Sequence, residues 1–516
     1  MGLPSQSGDL KRSVLIGTLS NLAGRTLALS VTFVLTPYVL HSIGASDYGL
    51  ALLVGSVVAY GDLLNFGVGG AIVKYVAEYH AGHKWDQAQA LVATAIWIYC
   101  GVGLCIVAIG LLLAPAFPII FRIADNQSTT VFWLVILSCV NFGIGLPLST
   151  ASAVLRGLQR FDLVNLVRLV GLAMSALLTV IVLYFGGGVI GMVAVNIPVS
   201  ILGQWLSVWL VRLAEPQLRI GWAGVDREML SLLAKFGSGL FLDNVAGQIK
   251  TRADEVVIGA FLPVANITSY AIGRRLAEMP QLLADQFIRV VMPLASHVEA
   301  GDQRIFLKSL YLTSNRLTLA IAVPLACIVV VLARPFLTLW LGPDFAFITP
   351  VVYVLTLANL IDVSLWPIAS VAQGMARHRS LALASLSSAF VNLVLSLWLV
   401  NYLGVIGVAL GTLLPIVFEA ICFVIPFGLR MVGVRLRAAF SEIYLPVLIP
   451  AAPALAASYG LRMVFSLESW PEFAVIAVTG LCVYFAGYSI ATVGKPEHAV
   501  LQQAWQTTRR LLRIGA

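Results

Sequence analysis

Apolar residues in this chain run in long unbroken stretches, such as Trp97 to Leu113 and Leu381 to Val400, separated by short polar breaks. About 20 apolar residues in helical form cross the hydrocarbon core of a bilayer. The pattern predicts spans near 14–38, 48–72, 87–113, 130–154, 162–185, 189–213, 231–261, 268–292, 309–333, 349–374, 381–401, 405–429, 443–464 and 470–493. In lipid, every backbone group must find its hydrogen bond inside the protein, which leaves helix bundles or closed barrels. A barrel strand would alternate apolar and polar positions, and these runs do not. The expected fold is therefore all-α: a polytopic membrane protein with about fourteen transmembrane helices at helical span length.

Composition agrees. The chain is 59% hydrophobic and 11% charged, with a mean hydropathy of +0.94, whereas soluble proteins carry about 25% charged residues. The net charge of +8 invites a nucleic-acid reading, but its distribution gives a simpler one. Loops on one side hold Arg156, Arg160 and Arg168, or Arg430, Arg435 and Arg437, while the alternate loops hold only Arg122, Arg334 and Arg462. Lys and Arg collect on the cytoplasmic side, so both termini are expected inside, in a bacterial inner membrane, with no nucleic-acid partner. The run Val14 to Tyr38 is too long for a signal-peptide core and reads as an uncleaved first span. Six cysteines inside apolar runs show no paired spacing and read as small hydrophobes.

Three short motifs recur in order at offsets of 216 to 222 residues. Gly188-Val189-Ile190-Gly191 returns as Gly404-Val405-Ile406-Gly407, and Arg156-Gly157-Leu158-Gln159-Arg160 as Gln373-Gly374-Met375-Ala376-Arg377. Ser46-Asp47-Tyr48-Gly49 corresponds to Thr268-Ser269-Tyr270-Ala271. Six spans per repeat make the halves parallel repeats with a cavity between them, as in transporters. The expected organisation is a six-helix lobe over 1–215, a second over 216–436, two additional transmembrane helices over 437–494, and a cytoplasmic tail over 495–516.

Residues 40–78, from Leu40-His41-Ser42-Ile43-Gly44-Ala45-Ser46-Asp47-Tyr48-Gly49 through Asp62 and Gly67 to Glu78, carry a recognisable signature. They resemble the amino-terminal pattern of the polysaccharide transporter family, which includes O-antigen and exopolysaccharide flippases. The likeness continues in Arg252-Ala253-Asp254-Glu255-Val256-Val257-Ile258-Gly259, in Tyr270-Ala271-Ile272-Gly273-Arg274-Arg275-Leu276, and in Leu339-Trp340-Leu341-Gly342-Pro343-Asp344-Phe345. The resemblance implies the fold of the multidrug/oligosaccharidyl-lipid/polysaccharide exporter superfamily. It also implies undecaprenyl-pyrophosphate-linked oligosaccharide as cargo, flipped from the cytoplasmic to the periplasmic leaflet for O-antigen, capsule or exopolysaccharide biosynthesis. A polysaccharide polymerase is a candidate partner.

Charges at the bilayer centre cost about 2.5–3.5 kcal/mol on insertion scales and face a cavity or a partner. Arg25, eleven residues into the first span, lies about 16 Å deep at 1.5 Å per residue. It suits an anionic head group, or pairs structurally with Asp62. The seventh span is the most polar, and Lys250 with Asp254, or Arg252 with Glu255, stand at ion-pairing spacings. Their charges either neutralise one another or line the cargo path. Arg274 and Arg275 follow in the eighth span, and Arg275 occupies a position that the family pattern makes basic. Asp62, Asp362 and Glu419 fall near mid-membrane and are candidates for ion coupling or for plain structural acids.

No nucleophile elbow, phosphate loop or metal-ligand cluster is present; His80 and His83 alone make a thin metal case, so no metal, cofactor or catalytic residue is assigned. Other classes remain to be weighed. A cation-coupled exporter of the multidrug and toxin extrusion type shares the two-lobe plan but has twelve spans as a rule. A membrane polymerase or ligase needs a larger outside loop than this chain offers. A non-transporting scaffold of a synthesis complex would tolerate neutralisation of its buried charges. In the favoured mechanism, alternating access carries the charged head group through the water-filled cavity while the polyprenyl tail stays in lipid.

Overall fold

A computed structural model describes residues 6–65, 67–218, 220–221, 224–288, 303–375 and 379–493, and these are helical with no strand among them. The protein is an all-α, multi-pass membrane protein. Ten stretches among the described residues are long and apolar enough to cross a bilayer. This is fewer than fourteen for two reasons. Gln6–Ala59 and Arg379–Glu419 are each two helices joined across a kink at a glycine with non-helical geometry, Gly44 and Gly404, so that in each the two expected spans follow one another without a loop. The expected seventh and eighth spans are the helix Arg227–Phe261, which is heavily charged, and the short helices Ala265–Ala277 and Met279–Ile288.

The recurring Gly-Val-Ile-Gly motif has a structural meaning in both places. Gly188 and Gly404 both have positive φ, 56° and 57°, which glycine adopts without steric cost. The second glycine of each motif permits close approach to the preceding leg. A Cβ on Gly191 would lie 2.4 Å from Val182 Cγ1, and one on Gly407 would lie 2.3 Å from Leu399 O. Around Gly404 the legs lie side by side, with Asn392 Nδ2 donating to Thr412 Oγ1 at 3.2 Å and Ser396 Oγ to Val408 O at 3.5 Å.

The chain divides into two compact units, Met1–Thr268 and Ser269–Ala516. In the first, helix Asp125–Gly157 packs against Val68–Ala81, Trp85–Leu113 and Asn196–Ala214. Small residues let these backbones meet, the main device for packing helices in lipid: a Cβ on Gly103 would come within 2.4 Å of Gly143 O. Asp226 caps Arg227–Phe261 by accepting from Glu228 N at 2.7 Å and Met229 N at 3.2 Å, worth about 1 kcal/mol.

In the second unit, helix Gln303–Leu341 is surrounded by Met279–Ile288, Thr349–Gly374, Ala451–Val464 and Trp470–Ala491. The last two belong to the pair of helices beyond the sequence repeat, and they are built into this unit's core. Tyr484, fully buried, donates to Val447 O at 3.1 Å, and Arg462 Nη1 donates to Val331 O at 2.8 Å. The chain reverses between Ile425–Val432 and Leu436–Ala439 through Gly433 at φ 69°, where Val434 N donates to Leu429 O at 2.9 Å, a glycine-capped helix end.

Candidate functional site: a polar cluster within apolar spans

The first long helix of the first unit ends in a 3-10 turn, Tyr60–Asn65, and Gly67 at φ 69° starts the next helix. The turn holds Asp62 in an exposed position against helix Arg227–Phe261. Gln248 Nε2 donates to Asp62 Oδ2 at 3.5 Å. Arg252, one turn further along that helix, acts electrostatically on both Asp62 and Tyr60. The carboxylates of Asp254 and Glu255 complete the charge around Tyr60. At the other end of the turn, Asn65 Oδ1 accepts from the buried Tyr99 hydroxyl, which also lies in the field of Arg156.

The cluster thus holds cations, acids and neutral donors where the apolar span Leu27–Asn65 meets the charged helix Arg227–Phe261. Asp254 and Glu255 are only 4% and 2% exposed, and both engage partners. Burying an ion costs several kcal/mol unless partners compensate it, so this face of the helix is enclosed by protein. Lys250 and Arg252 are half-buried. Such a surface can hold an anion by direct charge and pass hydrogen bonds through Gln248 and Tyr60.

The structure therefore brings Asp62, Arg252 and Asp254 from the sequence-based set into one cluster. Arg25 lies on the first helix, but its side chain is outside the described residues, as is the whole segment 495–516. Lys250 lies on the same helix as Arg252, and the remaining candidates belong to the second unit. Arg274 Nε lies 3.5 Å from Glu278 Oε1, a pair within one turn of chain, and Arg275 is half-buried beside it. Asp362 Oδ2 accepts from Trp366 Nε1 at 3.1 Å, and Glu419 is buried just before a π-helical turn, Ala420–Val424. His80 Nε2 faces Glu215 Oε2 at 3.3 Å.

One buried cation was not singled out from sequence. Arg316 is 5% exposed, and its Nη1 donates to the backbone oxygen of Glu442 at 3.0 Å. Glu442 sits in the π-helical turn Phe440–Tyr444. In an α-helix its carbonyl would accept from residue 446, but that residue is Pro446 and has no N–H. The signal available in sequence was a single arginine inside the apolar run 309–333.

Comparison with known proteins bears on this geometry. An uncharacterized membrane protein of Bacillus subtilis (strain 168), EpsK, is 18% identical over 502 residues, spanning 96% of this chain and 98% of its own. The probable flippase AglR of Haloferax volcanii is 22% identical over 403 residues, 75% of this chain and 78% of its own. Among solved structures, the lipid II flippase MurJ in an inward closed conformation shares the fold, with a TM-score of 0.71 at 16% identity over 92% of this chain and 98% of that one. The profile of the family described as polysaccharide biosynthesis protein matches residues 43–350. That match takes in both the Tyr60–Asn65 turn and the charged helix against it, and it covers more than half of the sequence: the chain belongs to the polysaccharide biosynthesis protein family.

Proposed function

We propose that the protein is a flippase that moves undecaprenyl-pyrophosphate-linked oligosaccharide across the bacterial inner membrane by alternating access. The observation that carries this reading is the cluster around Asp62, Gln248 and Arg252 inside the apolar spans of a member of this family. A pyrophosphate and its sugars need a hydrated path with fixed cations, whereas the polyprenyl tail needs only lipid. Arg252 and Lys250, with Arg25, Arg274 and Arg275, are the cations of that path; arginine in particular matches phosphate oxygens. Asp62, Asp362 and Glu419 are the acids through which an ion would couple to transport. The name of AglR, a probable flippase, supports movement of a cargo between leaflets, and the fold shared with the lipid II flippase MurJ suits it.

Transport requires that the cargo bind the inward and outward states with different affinity, since a ligand shifts a population only by its differential affinity. Both termini lie in the cytoplasm in this reading, and a polysaccharide polymerase receives the product outside. The test is leaflet-resolved measurement of lipid-linked oligosaccharide in a deletion strain complemented with wild type, Arg252→Gln or Arg25→Ala, at equal membrane levels. Accumulation in the cytoplasmic leaflet on deletion, relieved by wild type alone, is the expected result. A normal leaflet distribution in the deletion strain, with no second transporter present, overturns the proposal and moves drug export or scaffolding ahead.

A further inference from the structure

In the second unit, the leg that follows Gly404 continues through the π-turn Ala420–Val424 into helix Ile425–Val432. The π-turn comes just before Pro426, which has no N–H to carry the α-helical ladder onward. Along this stretch lies an open groove of about 490 Å³. Its lining is two rows at i,i+4 spacing: Cys422, Pro426 and Arg430, and beside them Phe423, Phe427 and Met431. Five of the six are apolar or nearly so, and the sixth is a guanidinium at one end. Phe423 is 52% exposed, and Cys422 and Arg430 are exposed as well, so the groove faces outward from the unit's core.

Depth places its two ends. The leg from Val405 to Val432 is about 42 Å long at helical rise, against about 30 Å for a hydrocarbon core. Centred on the bilayer, it overhangs the core by about 6 Å at each end. Arg430, two residues before its end, then lies about 3 Å outside the hydrocarbon, at head-group level. Cys422 lies about 9 Å inside, short of the midplane at about 15 Å. The cation and the apolar wall therefore belong to one and the same leaflet.

The chain then turns back on itself at Gly433, where Val434 N donates to Leu429 O at 2.9 Å. This bond joins the residues just before Arg430 and Arg435, and Arg437 follows one residue on. All three arginines are exposed, and among the described residues none has a carboxylate partner. Leu436 and Phe440 beside them are 67% and 55% exposed. Basic residues mixed with apolar ones at a span end suit an anionic lipid surface, each cation near it adding about 1 kcal/mol of attraction.

We propose that this groove is a binding site for an anionic phospholipid, with its phosphodiester on Arg430 and one acyl chain along Phe423 and Phe427. Charge-assisted hydrogen bonds to phosphate are the strong ones available to arginine, and Arg435 and Arg437 add to the local positive potential. The groove ends before mid-bilayer, which fits an acyl chain of one leaflet and is too short for a polyprenyl tail. With the termini cytoplasmic, that leaflet is the inner one. The site shares no residue with the path proposed for the cargo.

The experiment is native mass spectrometry of the purified full-length protein with dioleoyl phosphatidylglycerol or dioleoyl phosphatidylcholine added. The wild type is expected to retain phosphatidylglycerol in preference to phosphatidylcholine. Arg430→Gln should weaken retention of phosphatidylglycerol about ten-fold, the loss of one charge-assisted contact. Cys422→Trp should weaken it by filling the groove, while Arg430→Lys, which keeps the charge, and Arg160→Gln should leave the preference in place. Equal retention by wild type and Arg430→Gln overturns the site. So does a loss in Arg430→Lys as large as in Arg430→Gln, which would mean that the side chain supports the fold, or an equal loss in Arg160→Gln, which would mean a generally basic face. Displacement of the phosphatidylglycerol by stoichiometric polyprenyl phosphate also overturns it, assigning the groove to the cargo.

Discussion

In the first unit, the most apolar window of each span is between 11% and 33% buried within the protein; in the second, Leu307–Leu341, Ser380–Val432 and Pro343–Gly374 reach 67%, 50% and 44%. Lipid tails are as apolar as leucine, so hydrophobicity does not drive helices together in a membrane. High burial therefore reports interlocking neighbours on most sides of a helix. In the second unit those neighbours include the two helices beyond the repeat: Arg462 bonds one of them to Val331 of the central helix, and Tyr484 bonds the other to Val447. Individual charges also differ. Arg316 is sealed in a core and bonded to backbone, whereas Asp62, Lys250 and Arg252 keep exposure beside the buried Asp254 and Glu255. One unit spends an arginine on architecture, while the other holds polar side chains where a solute could meet them.

The largest effect on stability should come from Gly103→Val. The new Cβ would lie 2.4 Å from Gly143 O, and backbone cannot step aside as a side chain can. The central helix pair of the first unit must then separate, at a cost above about 4 kcal/mol. Gly428→Ala is the matched change in the second unit, where the atoms met are all on the Ile368 side chain, the nearest at 2.6 Å. It should cost about 1–3 kcal/mol, as overpacking does. Fluorescence-detected size exclusion and thermal melts in detergent separate the two. A Gly428→Ala protein that fails to fold while Gly103→Val survives would reverse the ranking of the two cores.

Next in size is Arg316→Met, which removes the donor from Glu442 O and from Thr313 Oγ1. Leaving a buried carbonyl short of a partner costs about 1–3 kcal/mol, and the melting temperature should fall accordingly. Arg252→Gln, made on the more open unit, should lower it by less. The contrast between an architectural and a pathway arginine breaks if the two variants melt alike.

These two arginines also show what sequence does and does not disclose. The apolar runs placed the helices well, because span length and the internal bonding of backbone in lipid leave few alternatives. The repeat motif disclosed two places where the chain turns, since glycine takes a positive φ without steric cost and the same tetrapeptide marks both. Arg252 was visible as one of many charges on a helix that lipid would reject. Its relation to Asp62 was not, for the two are brought together across 190 positions of chain by packing alone. Arg316 was harder still. Its partner is a backbone oxygen next to a proline-induced π-turn, and neither a backbone acceptor nor a π-turn leaves a side-chain signature in sequence. The lower count of separate spans has a similar cause: Gly44 and Gly404 turn the chain so tightly that two helices follow one another with no loop between them.

A smaller change in stability, with a large change in transport, is expected for Asp62→Asn and Arg252→Gln. Both residues are partly or fully exposed, so each substitution should stay within about 1 kcal/mol in melting experiments. Flipping should nevertheless drop about ten-fold or more, the equivalent of one lost charge contact in the path. The double variant should be no worse than the poorer single one, because groups acting through one network are not additive. Strictly additive losses would show that Asp62 and Arg252 serve the cargo separately and that the cluster is not a functional unit.

The smallest effect belongs to Arg160→Gln. Arg160 Nε and Nη2 bond both oxygens of Asp162 at 3.1 and 3.0 Å, a two-point ion pair. Yet the side chains are 44% and 49% exposed, and an exposed pair gains little over its hydrated parts, about 0–1 kcal/mol. Melting should shift by less than that of any other variant, and leaflet distribution of the carrier should stay wild-type. The value of the measurement lies in that contrast. Arg160 has better hydrogen-bond geometry than Arg252 has with Asp62, and it sits at the end of a span instead of inside the polar cluster. If losing it impaired flipping as much as losing Arg252, position within the cluster would count for nothing. The distinction between a charge that spans tolerate at their ends and one they must enclose would then have to be abandoned for this unit.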